Sequence, residues 1–196
     1  NRDTKQISWT YALERDANND KEHVLDEKAF VISYYRPFFK QHLYFSRVLN
    51  ERVYQIPKLF PNSSLNNLVI CVSGVGVTKP FSTIITDTLP DLELIGKSQC
   101  FPLYYYEERE RDNPNLFDAN GEAEYVRRDG ISDFILERAR KQYGGRVSKE
   151  DIFYYVYGIL HSPEYRTAFA NDLKKMLPRI PLVEVKSQIL CKNRSG

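Results

Sequence analysis

Three short runs of β-branched and aromatic residues, followed by three polar-capped helical segments, constrain this chain more than any other feature. Leu68-Val69-Ile70-Cys71-Val72 and Thr83-Ile84-Ile85-Thr86 are continuous apolar runs of strand length, the kind that is covered on both faces. Cys100–Tyr106 is the third, passing from an apolar, aromatic half into the charged stretch Glu107–Asp112, read as a solvated loop closed by Asn-Pro-Asn. From Ile131 the period turns helical. Ser132 opens an amphipathic segment that Gly144-Gly145 stops, Ser148 and Asp151 have capping-box spacing before Ile152–His161, and Ser162-Pro163 opens Glu164–Leu177, which Pro178 ends. Strands first and helices after predict an α+β fold, a mixed β-sheet core with a C-terminal helical subregion of about three helices.

The rest of the chain is organised around that core. Trp9, Tyr11 and Leu13 alternate as in a short strand or a helical turn, before a polar Asn-Asn-Asp turn. Asp26 is placed to cap a helix over Glu27–Tyr34, ended by Arg36-Pro37. Phe39–Phe45 reads as a strand with an aromatic face, Val48–Tyr54 as at least one helical turn, and Pro57 and Pro61 bracket Leu59-Phe60 as an extended linker. We expect one domain of 196 residues, with a lead-in (1–25), a sheet-containing part (26–130), a helical part (131–181) and a tail (182–196).

The hydrophobic content of 42% and charged content of 28% are those of a folded globular chain. No apolar run reaches bilayer length, and the start at Asn1 without a leader suggests a piece of a larger soluble protein. Cys71, Cys100 and Cys191 are widely spaced; the first two sit in apolar runs and are expected to be free buried thiols. Nothing pairs with them as zinc ligands.

The net charge of +2 conceals a polarity. Arg36, Lys40, Arg47, Arg52 and Lys58 face only Glu51, whereas Phe81–Gly130 is acidic. Cations without matching acids are the expected phosphate contacts of a polyanion-binding protein, against the plainer reading of a solvated surface. Arg36 has two readings, a structural ion pair or a phosphate grip. Between the first two runs lies Ser73-Gly74-Val75-Gly76-Val77-Thr78-Lys79-Pro80. Its spacing is not that of a phosphate-binding loop, so we expect a hairpin loop, with Ser73, Thr78 and Lys79 as donors to a partner. Gln99, Asn113 and Asn115 are weaker candidates.

No catalytic apparatus is visible. His161 and His42 lack a nucleophile or carboxylate partner and are expected to pack or cap, while His23 lies in a charged, exposed segment. Asp172 with Glu184-Val185-Lys186 only superficially resembles a nuclease set, because such carboxylates come from adjacent strands. We therefore expect neither catalytic nor metal-binding residues.

Four phrases in order carry a resemblance: Tyr35-Arg36-Pro37-Phe38 with Leu43-Tyr44-Phe45; Ile85-Thr86-Asp87; Phe101-Pro102-Leu103-Tyr104; and Glu150–Arg166 closing on Pro178-Arg179-Ile180-Pro181. Together they are similar to the C-terminal specificity domain of the Type ISP restriction-modification enzymes, bacterial single-chain proteins joining a nuclease, a helicase-like translocase, an adenine methyltransferase and a target recognition domain. The resemblance spans about Asp26 to Pro181. It implies a module that reads double-stranded DNA without chemistry of its own, beside methyltransferase and helicase-like domains of the same chain. It also implies a bacterial cytoplasmic setting. S-adenosylmethionine, ATP and magnesium would belong to those other domains. Phrases shared by readers of different sequences belong to the framework, so base readout is expected from loops. That weighs for the structural reading of Arg36 and for Tyr104-Tyr105-Tyr106 as a packed strand. A non-catalytic scaffold coupling the methyltransferase and helicase-like domains is the alternative.

Overall fold

A computed structural model describes residues 9–50, 53–62, 64–109 and 125–184. They divide into two compact units, the first ending at Gly130 and the second beginning at Ile131. The first holds all the described strands together with two short helices, and the second holds three helices, an α+β arrangement.

The first unit opens with helix α1 (Tyr11–Asn18), whose cap Thr10 accepts the Leu13 N–H and donates to the Val48 carbonyl at 3.0 Å. The expected helix at Glu27–Tyr34 is not there. Only Glu27–Ala29 turns, as a 3-10 element, and Phe30–Arg36 is strand β1, paired antiparallel with β2 (Phe39–Tyr44). Asp26 offered a local start signal, but six successive aromatic, β-branched or small residues with a hairpin partner favour a strand. The Leu59-Phe60 linker is a second correction. Ile56–Leu59 is a helical turn, α2, with Pro57 in its first positions, where a proline costs nothing. Leu59 and Phe60 are buried.

Strand β3 (Val69–Val72) is buried at every position and lies between β4 (Thr83–Thr86) and β6 (Gln99–Pro102), antiparallel to both. After β4 the chain adds β5 (Leu89–Pro90) parallel to β1, giving a second sheet in the order β2-β1-β5. The expected single strand Cys100–Tyr106 is divided at buried Leu103, whose N–H bonds the Leu68 carbonyl at 2.8 Å. Beyond it, β7 (Tyr104–Glu108) pairs with β8 (Tyr125–Asp129), so Glu107 and Glu108, expected at the start of the solvated loop, belong to a strand. Asn113 and Asn115 lie outside the described residues.

The core of this unit joins Tyr34, Leu59, Phe60, Val69, Cys71, Leu89 and Leu94, with Val31, Leu43, Ile84 and Tyr105 packed against it. Cys71 and Cys100 are cross-strand neighbours, free, with sulfurs 3.7 Å apart. The hydrogen bond to Cys100 and burial push the Cys71 thiol far up. Asn67 is buried and ties three segments together. Its Nδ2 donates to the Leu59 and Tyr104 carbonyls at 2.9 and 2.7 Å, and its Oδ1 accepts the N–H groups of Leu68 and Tyr104.

In the second unit, α3 (Asp133–Tyr143) is capped by Ser132 and stopped by Gly144 at φ +105°. α4 (Lys149–His161) carries the full capping box of Ser148 and Asp151. α5 is Pro163–Ala168, shorter than the expected Glu164–Leu177; irregular turns follow, with Leu173 still buried. Residues 179–183 then form a strap over the helices. The hydroxyls of Tyr165, Tyr155 and Tyr143 donate to the carbonyls of Arg179, Pro181 and Val183 at 3.0, 2.7 and 2.6 Å.

Candidate nucleic-acid interface

Of the basic residues that lie close in sequence, Arg36 and Lys40 stand at the turn end of the β1–β2 hairpin and Arg47 beyond its other end. Arg36 ends β1 and is ion-paired to Asp91 at 2.9 Å, with its guanidinium 4.0 Å from the Tyr35 ring centre. Lys40 on β2 reaches Asp87 at 3.4 Å. Arg47 follows the far end of the hairpin, past the Phe30–Tyr44 pair, where it lines a groove with Leu13, Tyr44 and Val48. Lys58 is exposed on α2, and Arg52 lies outside the described residues.

The Ser73–Lys79 loop is the β3–β4 hairpin connection, and its base is clasped. Ser73 is buried; its hydroxyl accepts the Ser82 N–H at 2.8 Å and donates to the Ser82 carbonyl. That inward turn removes Ser73 from the surface, while Thr78 and Lys79 remain exposed. Gly74 is there because nothing larger fits. Its N–H donates to the Gly96 carbonyl at 3.0 Å, and a Cβ would stand 2.2 Å from the Lys97 carbonyl oxygen. The hairpin loop is thereby locked onto the Asp91–Ser98 connection, itself folded by Leu94 N–H to Asp91 and Ser98 N–H to Leu92 bonds. Asp91 in turn receives Arg36 and donates its N–H to the Tyr34 carbonyl.

Three connections therefore form one contiguous rim: the β1–β2 turn at Pro37-Phe38, the Asp91–Ser98 segment and the Ser73–Ser82 loop. Strand register puts the last two at the same end of the β4-β3-β6 sheet, since Val72 faces both Thr83 and Gln99. Thr78, Lys79, Lys97 and Gln99 are exposed on this rim. Among the described residues neither lysine is ion-paired. Lys97 was missed in the sequence reading, because its place beside the hairpin loop depends on a backbone contact between residues far apart along the chain. Its positive φ of +45° in the Gly96-Lys97-Ser98 turn is likewise invisible to composition.

Among the described residues, the histidines and carboxylates singled out in the sequence are scattered over different elements. His161 stacks edge-on against Tyr157 with ring centres 4.6 Å apart, and burial together with Arg166 lowers its pKa. His42 faces Ile32 across the hairpin. His23, in an exposed segment as expected, also reaches the buried Asp16 carboxylate at 3.0 Å. Asp172 lies in the turns after α5 and Glu184 at the end of the strap; Lys186 is outside the described residues. Among the described residues no group of three His, Cys, Asp or Glu side chains is placed to hold a metal ion, and no helix is long and apolar enough to cross a membrane.

The described residues form an α+β body whose Ser73–Ser82 loop is clasped at its base and presents exposed donors. Residues 1–189 match the Type ISP C-terminal specificity domain, and the chain belongs to that family. Chains similar to it occur in solved structures, among them the following three. The cryoEM structure of the DrdV–DNA complex matches at 38% identity with a TM-score of 0.78, over 93% of this chain and 17% of that one. The ATP-dependent Type ISP restriction-modification enzyme LlaBIII bound to DNA matches at 35% and 0.75, over 94% and 11%. A nuclease-deletion mutant of the Type ISP enzyme LlaGI in complex with a DNA substrate mimic matches at 36% and 0.70, over 93% and 12%. This chain thus spans less than a fifth of the length of those proteins. No curated protein matches it.

Proposed function

We propose that this chain is the target-recognition module of a bacterial single-chain restriction-modification enzyme. It reads a double-stranded DNA sequence and positions it for adenine methylation or cleavage by domains elsewhere in the full-length protein. The chain itself performs no reaction. S-adenosylmethionine, ATP and magnesium are assigned to those other domains, and the protein to the bacterial cytoplasm. The observation that carries the reading is the three-loop rim, where Thr78, Lys79, Lys97 and Gln99 project from backbone locked at Ser73, Gly74 and Ser82. Firmly held backbone under exposed donors is what discrimination between base edges requires, and Lys79 and Lys97, without ion pairs among the described residues, supply the phosphate contacts. That the three solved relatives are each in complex with DNA or a DNA mimic supports the same reading.

Arg36 and Lys40 serve this reading indirectly, as cations that fix the hairpin to Asp91 and Asp87. Arg47 and Lys58, which are not part of the rim, and Arg52 are assigned to contacts with the DNA backbone.

Selection of duplexes from a random pool by the full-length protein tests the proposal. One enriched sequence is expected, and its affinity should fall steeply with salt. Lys79→Ala and Lys97→Ala should each weaken binding across all sequences and reduce the salt slope by about one. Thr78→Val should instead relax the preference at a single position. Enrichment of no sequence would overturn the reading.

A further inference from the structure

The tip of the β1–β2 hairpin holds an arrangement that folding does not explain. Phe38 is 97% exposed, yet its backbone sits at φ +66°. After a turn proline that left-handed region normally belongs to Gly or Asn, and for a bulky aromatic residue it is an outlier. Such strain persists only where the surroundings impose it. Here they do. The Tyr34 hydroxyl accepts the Phe38 N–H at 3.1 Å, and neighbouring Arg36 donates to both Asp91 and the Tyr35 carbonyl. A register shift between Tyr34 and Arg36 bulges the strand at Tyr35, whose ring lies edge-on to Phe39. A large apolar ring is thus held out into water by a built polar frame. Selection for stability alone would place glycine there.

We infer that Phe38 is a wedge that enters the base stack of bound DNA, beside the base pairs contacted from the Ser73–Ser82 loop. The inference rests on the recognition reading above and adds a second mode to it, in which the step that unstacks most easily is selected by its deformability. Three observations favour a base stack as the partner. Phe38 stands on the same contiguous rim as Lys79 and Lys97, through the Arg36–Asp91 pair and the Gly74–Gly96 bond. The cations flanking the ring, Arg36 and Lys40, are already compensated by Asp91 and Asp87. A tip neutralised in this way does not grip phosphate, and what it offers is an aromatic face suited to any base.

The test uses the full-length protein and the duplex enriched in the selection above, with 2-aminopurine placed at successive positions. Fluorescence should rise at a step distinct from any base flipped for methylation. Phe38→Trp should keep that rise. Phe38→Gly should abolish it and weaken binding roughly tenfold, while the melting temperature stays level or rises, because glycine adopts φ +66° without strain. The wedge is overturned if Phe38→Gly keeps both signal and affinity while Lys79→Ala and Lys97→Ala weaken binding; the rim reading would then stand alone. It is equally overturned if Phe38→Gly lowers the melting temperature and leaves DNA binding intact, which would make the ring a contact to another protein domain. Unchanged binding in all the variants would remove wedge and rim together.

Discussion

Apart from the 179–183 strap, the elements of the two units are set in place by different kinds of bond. In the sheet unit the decisive hydrogen bonds join residues far apart in sequence: Asn67 to Tyr104, 37 positions on, and the Tyr106 hydroxyl to the Asn66 carbonyl, 40 positions back. In the helical unit each helix start is set three residues away, by Ser132 to Ile135, Ser148 to Asp151 and Ser162 to Tyr165. Local bonds are formed by neighbours that the chain always keeps close, whereas long-range ones require the surrounding core to exist first. The unit proposed to carry recognition is the one built on the second kind.

That contrast can be broken by mutation. The largest loss should come from the apolar centre of the helical unit. Phe153 is 2% exposed, and Phe153→Ala should cost about 4 kcal/mol in denaturant unfolding. Asn67→Ala should follow at about 3 kcal/mol, since it strands two N–H groups and two carbonyls in the interior of the sheet unit. Ser148→Ala, which removes a local cap at the surface, should cost only about 1 kcal/mol. Equal costs for Asn67→Ala and Ser148→Ala would dissolve the distinction. The smallest effect concerns the strap. Burial and the nearby Tyr155 hydroxyl push Tyr143 up to about 12. The folded state keeps this proton when the unfolded chain has lost it, so stability should decline as pH rises from about 10 towards 12. A spectrophotometric titration should show a late-ionising tyrosine that Tyr143→Phe removes.

The same contrast explains what was legible in the sequence. Ser132, Ser148 and Ser162 announce their helices because the cap and its target are three residues apart. Strand β1 was misread because the Asp26 signal is local and the pairing with Phe39–Tyr44 is not. The buried role of Asn67 leaves no mark in composition or period. Nor does the division of Gln99–Glu108 at Leu103, since a single apolar run serves two sheets equally well on paper. The candidate interface suffered most. Density of charge between Arg36 and Lys58 suggested one basic surface, but folding brings Asp87 and Asp91 to the first two cations and sends Arg47 to the other end of the hairpin. Lys79 becomes a candidate from its loop alone, whereas Lys97 and the tip at Phe38 become candidates only from the backbone.

The clasp at Ser73, Gly74 and Ser82 has a consequence for anyone wishing to redirect this protein. It separates the residues that close the loop from those that project from it, so the segment from Val75 to Pro80 behaves as an exchangeable cassette. Under the proposed reading, a library randomised at Val75, Thr78 and Lys79, with the clasp left intact, should alter which letters are read and leave the page on which they are presented undisturbed.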